Sequence, residues 1–258
     1  MDKQTMIISK DFKICTASEN ELIIKEEMAL ARKVWPEFML HDPIAGKYFG
    51  KLYSELTDFQ FGIINTDCDK LIAVGNCIPF HWDKPLKDLP DKGWDWVLEK
   101  GFRDIENELT PNFCSALQIM IDPEYLGQGL SSKIVEYMIS ITKKNKLHYL
   151  VAPVRPNFKP KYPLISIDNY IKWENNQGLP FDPWLRVHTK LGGEIIKPCH
   201  KAMTISGTVK EWEEWTKLKF YESGKYVIPG ALELIEIDLS NNTGKYIEPN
   251  VWVAHKIL

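Results

Sequence analysis

An α/β fold whose sheet mixes parallel and antiparallel pairs is predicted by two local patterns. Residues 114–121, 130–144 and 147–154 read as strand, helix and strand. Such a crossover makes its two strands parallel and its connection right-handed. Residues 59–65 and 70–80, rich in Ile, Val and Phe, flank the polar turn Thr66-Asp67-Cys68-Asp69, which predicts an antiparallel hairpin.

Composition bounds the answer. The chain has 258 residues, 44% of them hydrophobic, enough for a substantial core, and one domain spanning 1–258 is the simplest organisation. With 32 basic and 35 acidic residues and a net charge of -3, no global field recruits nucleic acid or an anionic membrane. The stretch from Met1 to Ile8 lacks a long apolar region with a cleavage site, and no apolar run is long enough to span a bilayer, so a soluble cytoplasmic protein is expected. The 5 cysteines are scattered without a Cys-x-x-Cys pair and read as reduced core thiols. Cys199 and His200 could offer two metal ligands, but nothing nearby completes a tetrahedral set, and no metal is expected.

In chain order, residues 12–16 alternate as a first strand, and Ser18-Glu19-Asn20-Glu21 has the spacing of a capping box, where a helix is expected to begin. Ile23, Leu30 and Val34 share one face of it, and Pro36 stops it. A second helix follows Asp42-Pro43, with Ile44, Tyr48, Leu52 and Leu56 as its apolar stripe. Pro85, Pro90 and Gly93 break up residues 83–111, which read as an insertion with a short helix through Trp94, Val97, Leu98 and Phe102. Leu130, Ile134, Tyr137, Met138 and Ile141 form the inward face of the crossover helix.

Residues 155–182, rich in Pro, Asn, Asp and aromatics, read as a second insertion, an ordered loop of the kind that serves ligands, with one helical piece near 167–173. A helix is expected from Asp182-Pro183 through Trp184, Leu185, Val187 and Leu191 to a glycine cap at Gly192-Gly193. Ile195, Ile196, Met203, Ile205 and Val209 predict late strands. Trp212 and Trp215 share a helical turn, and residues 232–239 and 246–255 read as a final strand pair.

The densest signal runs from Ile119 to Ser132: a strand end, a glycine loop and a helix start. Gly127 and Gly129 let the backbone bend and approach a ligand, and the helix opening near Ser131 aims N–H groups and a positive dipole end into the same space. A dinucleotide site would need a third glycine at Ser132 and an acid where Val154-Arg155 stands. A triphosphate loop would need Gly-Lys-Ser/Thr, whereas Lys133 follows two serines.

Residues 121–131, Ile-Asp-Pro-Glu-Tyr-Leu-Gly-Gln-Gly-Leu-Ser, resemble instead the coenzyme A loop of the Gcn5-related N-acetyltransferase superfamily, in which a valine-x-proline strand end and Arg/Gln-x-x-Gly-x-Gly/Ala open a helix. The order of elements also looks like that fold. His188-Thr-Lys-Leu-Gly-Gly193 is similar to the family's Tyr-x-x-x-Gly-Phe segment. The likeness covers about residues 11–206, leaving the chain from about 208 as a C-terminal extension.

This resemblance implies a mostly antiparallel sheet with helices on both faces and a central parallel pair splayed at an acetyl-CoA site. Ile119, Met120 and Ile121 would meet the pantetheine arm like an added strand. The N–H groups of Leu126, Gly127, Gln128, Gly129, Leu130, Ser131 and Ser132 would hold its pyrophosphate, and a backbone donor would polarise the thioester carbonyl. The implied reaction moves an acetyl or short acyl group from acetyl-CoA to an amine of a small-molecule acceptor, by direct attack in a ternary complex. Bringing a lysine-like amine from a pKa of about 10.4 to neutrality costs about 4 to 5 kcal/mol, so a base or water chain is required.

His188 stands where the family keeps its proton-donating tyrosine, and an imidazole can serve as acid or base near neutral pH. His81, at the end of strand 71–80, is the candidate base. Arg155, Lys159 and Lys161 form a cationic loop after a parallel strand, suited to a coenzyme A phosphate or an acceptor carboxylate. Asp168, Tyr170, Glu174, Asp182 and Arg186 are acceptor-site candidates from the same insertion. Leu126, at a loop position often held by arginine or glutamine, and the missing tyrosine motivate an alternative, a non-catalytic coenzyme A-binding sensor or docking module. A nicotinamide enzyme using the same loop is a second alternative.

Overall fold

The computed structural model describes residues 6–9 and 11–258. Residues 1–5, part of the stretch read for a targeting signal, lie outside them. Strand β1 (Met6–Ser9), not read from the sequence, pairs antiparallel with β2 (Phe12–Thr16). Helix α1 (Leu22–Val34) follows, but the capping box does not form. Ser18 donates to Asp58 and Glu19 accepts from the Thr16 N–H, so the Leu22 N–H goes to Asn20 Oδ1 at 2.9 Å and the helix starts there. Helix α2 (Pro43–Glu55) is capped as the sequence suggests, with Asp42 receiving the Ala45 N–H at 2.8 Å.

Strands β3 (Gln60–Asn65) and β4 (Lys70–Phe80) form the expected hairpin. Residues 83–111 carry helix α3 (Gly93–Glu106), which buries Trp94, Val97, Leu98 and Phe102 against the sheet. The crossover consists of β5 (Phe113–Ile121), α4 (Leu130–Lys144) and β6 (Tyr149–Val154). After it come the short α5 (Ile167–Tyr170) and α6 (Pro183–Lys190). Helix α6 ends in a glycine cap: Gly192 sits at φ 83°, its N–H meets Thr189 O at 3.1 Å, and the Gly193 N–H meets His188 O at 2.9 Å.

The chain closes with β7 (Glu194–Gly207), α7 (Val209–Thr216), β8 (Gly224–Tyr226), β9 (Ile235–Asp238) and β10 (Thr243–Lys256). Val209, read as strand, is instead the first residue of α7, because Thr208 and Glu211 form a capping box around it. The sheet runs β1-β2-β3-β4-β5-β6-β10-β9-β8, and β7 pairs with the other edge of β10. Among the described strands, β5 and β6 are the parallel neighbours. The chain from about 208, read as a C-terminal extension beyond the family's core, includes β10, which lies inside the sheet between β6 and β7.

Helices α1, α2 and α3 cover one face, while α4 and α6 cover the other. Cys15, Cys77, Cys114 and Cys199 are buried free thiols, but Cys68 is exposed because it sits in the hairpin turn. Among the described residues no helix is long and apolar enough to cross a membrane.

Candidate active site

Strands β5 and β6 pair only from Phe113 to Ser115 against Tyr149 to Val151. Beyond that point β5 stays with β4 and β6 stays with β10, so the two diverge. A bulge opens the gap: Ala116 and Gln118 face Cys77 and Asn76, leaving Leu117 extra, and the Trp94 indole holds the Leu117 carbonyl at 2.7 Å. The resulting cleft has a volume of about 890 Å³, the size of a ligand site.

The glycine loop forms one end of it. Gly127 and Gly129 lie at φ 80° and 74°, a left-handed backbone that favours glycine, and a Cβ at either would meet nothing within 4 Å. Among the described residues no protein acceptor meets the N–H groups of Gly127 to Ser132. Together with the start of the 15-residue α4 they form an open cradle for an anion. Ile119, Ile121, Leu126, Gly127, Gly129, Leu130 and Ser131 line the cleft. Gln128 and Ser132 do not, and the Met120 side chain is buried beneath α1, because strand residues alternate faces.

The other expected site residues separate. His188 lines the cleft but is buried, with Nδ1 3.0 Å from His255 Nε2. Burial, then His255, pushes its pKa down to about 3, so at neutral pH it is a neutral imidazole and not a ready acid. His81 is outside the cleft lining: β4 runs antiparallel to β5 and ends beside its start, so His81 bonds Thr110 and Asp104 at the opposite end of the sheet.

Asp182 is buried as the α6 cap, receiving the N–H groups of Trp184, Leu185 and Phe158 and the Tyr170 hydroxyl. Arg186 donates to the Pro180 and Phe181 carbonyls. Neither lines the cleft. Lys159 is buried against the Tyr162 and Leu232 carbonyls, Lys161 lies over the Phe158 ring, Asp168 pairs with His200, and Glu174 bridges to Pro180. Arg155 does line the cleft, with Nε 2.9 and 3.0 Å from the two oxygens of the buried Glu248.

Three buried or half-buried amides in register across the sheet were not anticipated. Gln60, Asn76 and Gln118 face one another on β3, β4 and β5. Asn76 donates to Gln60 at 3.0 Å and to the Tyr53 hydroxyl at 2.8 Å, and Gln118 donates to Asn76 at 3.2 Å and to Glu27 at 3.3 Å. Glu27, Tyr53 and Gln118 line the cleft where the strands part. Burial raises the Glu27 carboxyl above its ordinary value. Asp42 and Asp95, outside the cleft lining, each have one buried oxygen that no N–H or O–H of another residue satisfies. Burial raises both carboxyls above the ordinary aspartate value and the charge of Asp42 raises Asp95 further, which favours one proton shared between the two. Among the described residues no cluster suits a metal ion.

No family model matches the chain. It is 30% identical to the arginine N-acetyltransferase avaD of Aspergillus versicolor in a 254-residue alignment covering 87% of this chain and 86% of that protein. The chain belongs to the Gcn5-related N-acetyltransferase superfamily. This N-acetyltransferase shares its fold with the loading GNATL domain of CurA from Lyngbya majuscula, at TM-score 0.61 and 18% identity over 95% of this chain and 98% of that one. The GphF GNAT-like decarboxylase, solved with isobutyryl-CoA, matches at TM-score 0.54 and 14% identity over 95% of this chain and 99% of that one. Within the N-acetyltransferase, the splayed pair and the glycine loop occupy the positions the sequence resemblance implied.

Proposed function

We propose that this N-acetyltransferase moves the acetyl group of acetyl-CoA to the amine of a small molecule, with Glu27 as general base and Tyr53 as the acid beside the leaving sulfur. The carrying observation is that Glu27 and Tyr53 both line the cleft at the strand divergence and are linked through Gln118 and Asn76. Acetyl-CoA fits the residues present: free N–H groups and open space at the glycine loop for phosphate, and an unpaired β5 edge for the pantetheine amides.

Acetyl-CoA supplies the acetyl group as a thioester. Glu27 takes one proton from the acceptor's ammonium and passes it to solvent. The freed amine nitrogen bonds the carbonyl carbon as the carbon–sulfur bond breaks. Tyr53 receives the Asn76 N–H on its oxygen, which leaves its own O–H proton for the departing sulfur. The hydroxyl is restored by the second proton, shed from the nitrogen that becomes the amide. Such acid and base assistance is worth roughly 10²- to 10⁴-fold per group.

The relative's acceptor, arginine, is a small cationic amine. Glu27 and Glu248 line this cleft, and carboxylate charge there favours such a molecule. The 5 free thiols suit a reducing cytoplasm. Thiol release from acetyl-CoA with arginine and a panel of amine metabolites tests this reading. Amine-dependent release that Glu27→Gln slows by about 10²-fold or more near neutral pH is expected. Release that ignores the amine, or none with any amine, overturns it.

A further inference from the structure

Trp35 is tied to Glu27 through Gln118 and is approached by Arg155. The Trp35 Nε1–H donates to Gln118 Oε1 at 3.1 Å, and Gln118 donates in turn to Glu27. Arg155 Cζ lies 5.8 Å from the centroid of the Trp35 ring. All four side chains line the same cleft. One indole therefore connects to a carboxylate through an amide and to a guanidinium through its ring.

Arg155 is only partly used by the fold. Nε donates to Glu248 and Nη2 to the Gly230 carbonyl at 2.5 Å. The guanidinium's other N–H groups have no acceptor among the described residues, and the side chain keeps 17% exposure. A fixed guanidinium with free N–H groups on a cleft wall is a receptor for a planar anion.

Two anions could claim it, a phosphate of coenzyme A or a carboxylate of the acceptor. Position favours the second. The phosphate cradle belongs to α4, which packs on one face of the sheet, whereas Arg155 turns toward Trp35 and Glu248 on the α1–α2 face. We propose that the acceptor is an α-amino acid, its carboxylate received by Arg155 while its ammonium faces Glu27. This rests on the preceding reading of Glu27 as the base. It explains why a cleft that carries Glu27 and Glu248 also keeps one partly free guanidinium: the acceptor brings both charges, one carbon apart.

The intact protein is supplied with acetyl-CoA and three matched acceptor pairs that differ by the carboxylate: arginine and agmatine, lysine and cadaverine, phenylalanine and phenethylamine. Free thiol release is read. The amino acid of each pair is expected to show kcat/KM at least about tenfold higher, chiefly through KM, the equivalent of one charge-assisted hydrogen bond. Removing Arg155 alone would strand the buried Glu248, so the paired change Arg155→Met with Glu248→Gln is used. It is expected to raise the KM of the amino acid and not that of acetyl-CoA. Equal use of both members of each pair overturns the proposal, as does a variant whose KM rises for acetyl-CoA instead. Turnover with the decarboxylated amines alone sinks this proposal and leaves the amine-acetylation reading standing; no turnover with any of the acceptors sinks that reading first.

Discussion

Glu27 on α1 and Tyr53 on α2 are joined through two amides: Gln118 donates to both Glu27 and Asn76, and Asn76 donates to the Tyr53 oxygen at 2.8 Å. No charged side chain intervenes in this chain of bonds. The carboxylate is thus held in place without an ion pair that would suppress its basicity.

Glu27→Gln keeps the shape and a polar end but removes the base. We expect kcat/KM near neutral pH to fall by about 10²-fold or more, with the melting temperature nearly unchanged. The deficit should shrink as pH rises toward the acceptor amine's own pKa, because the free amine then needs no base. A pH–rate profile parallel to that of the unaltered enzyme would remove Glu27 from the mechanism.

Tyr53→Phe retains the ring and leaves Asn76 bonded to Gln60. Its expected signature is a fall in kcat of about tenfold or more, with little change in the KM of acetyl-CoA. Comparing acetyl-CoA with a thioester whose thiol leaves more readily checks the assignment: the defect should narrow with the better leaving group.

Gly129→Ala places a methyl group on a backbone at φ 74°. The cost is conformational, about 1 to 2 kcal/mol, since a Cβ there meets no protein atom. Calorimetry with coenzyme A should show weaker binding as well, because the methyl projects into the open cradle. Undiminished affinity would place the phosphates elsewhere.

Burial first, and then the charge of Asp42, push Asp95 up to about 8. An unfolded aspartate loses its proton near pH 4, at about 3.9. Between those values the folded protein holds a proton that the unfolded chain does not, so this pair's contribution to stability falls as pH rises through the window and levels off above it. Asp95→Asn offers Asp42 a permanent donor, so it should be more stable than the parent at pH 8 and gain little at pH 4. Urea midpoints at the two pH values, with an equal difference at both, would refute the shared proton.

What could be read ahead of the structure was what neighbouring residues determine. The crossover around Gly127 and Gly129, the 60–65/70–80 hairpin and the Asp182 helix start are set by turn chemistry and periodicity over a few residues. Asp182 was legible as a cap and was still counted among acceptor candidates; its carboxylate is occupied by four donors. Glu27 escaped notice because a glutamate on an amphipathic helix looks like any solvated residue, and only the fold brings it against β5. A faint signal existed in Asn76 and Gln118, amides inside apolar strands, which must find partners when buried. His188 matched a family position, but a sequence does not reveal that His255, 67 residues later, sits 3.0 Å away.

The place of β10 has a consequence for how the enzyme is made. Its pairing with β6 reaches residue 256 and that with β7 residue 254, so a growing polypeptide has no complete wall behind the divergence of β5 and β6 until those residues have emerged and threaded between two strands already synthesised. Long-range pairing of this kind is slow. A ribosome-bound intermediate would carry exposed strand edges on both sides of the gap, which makes biogenesis, rather than the finished molecule, the stage most open to capture by chaperones or to aggregation.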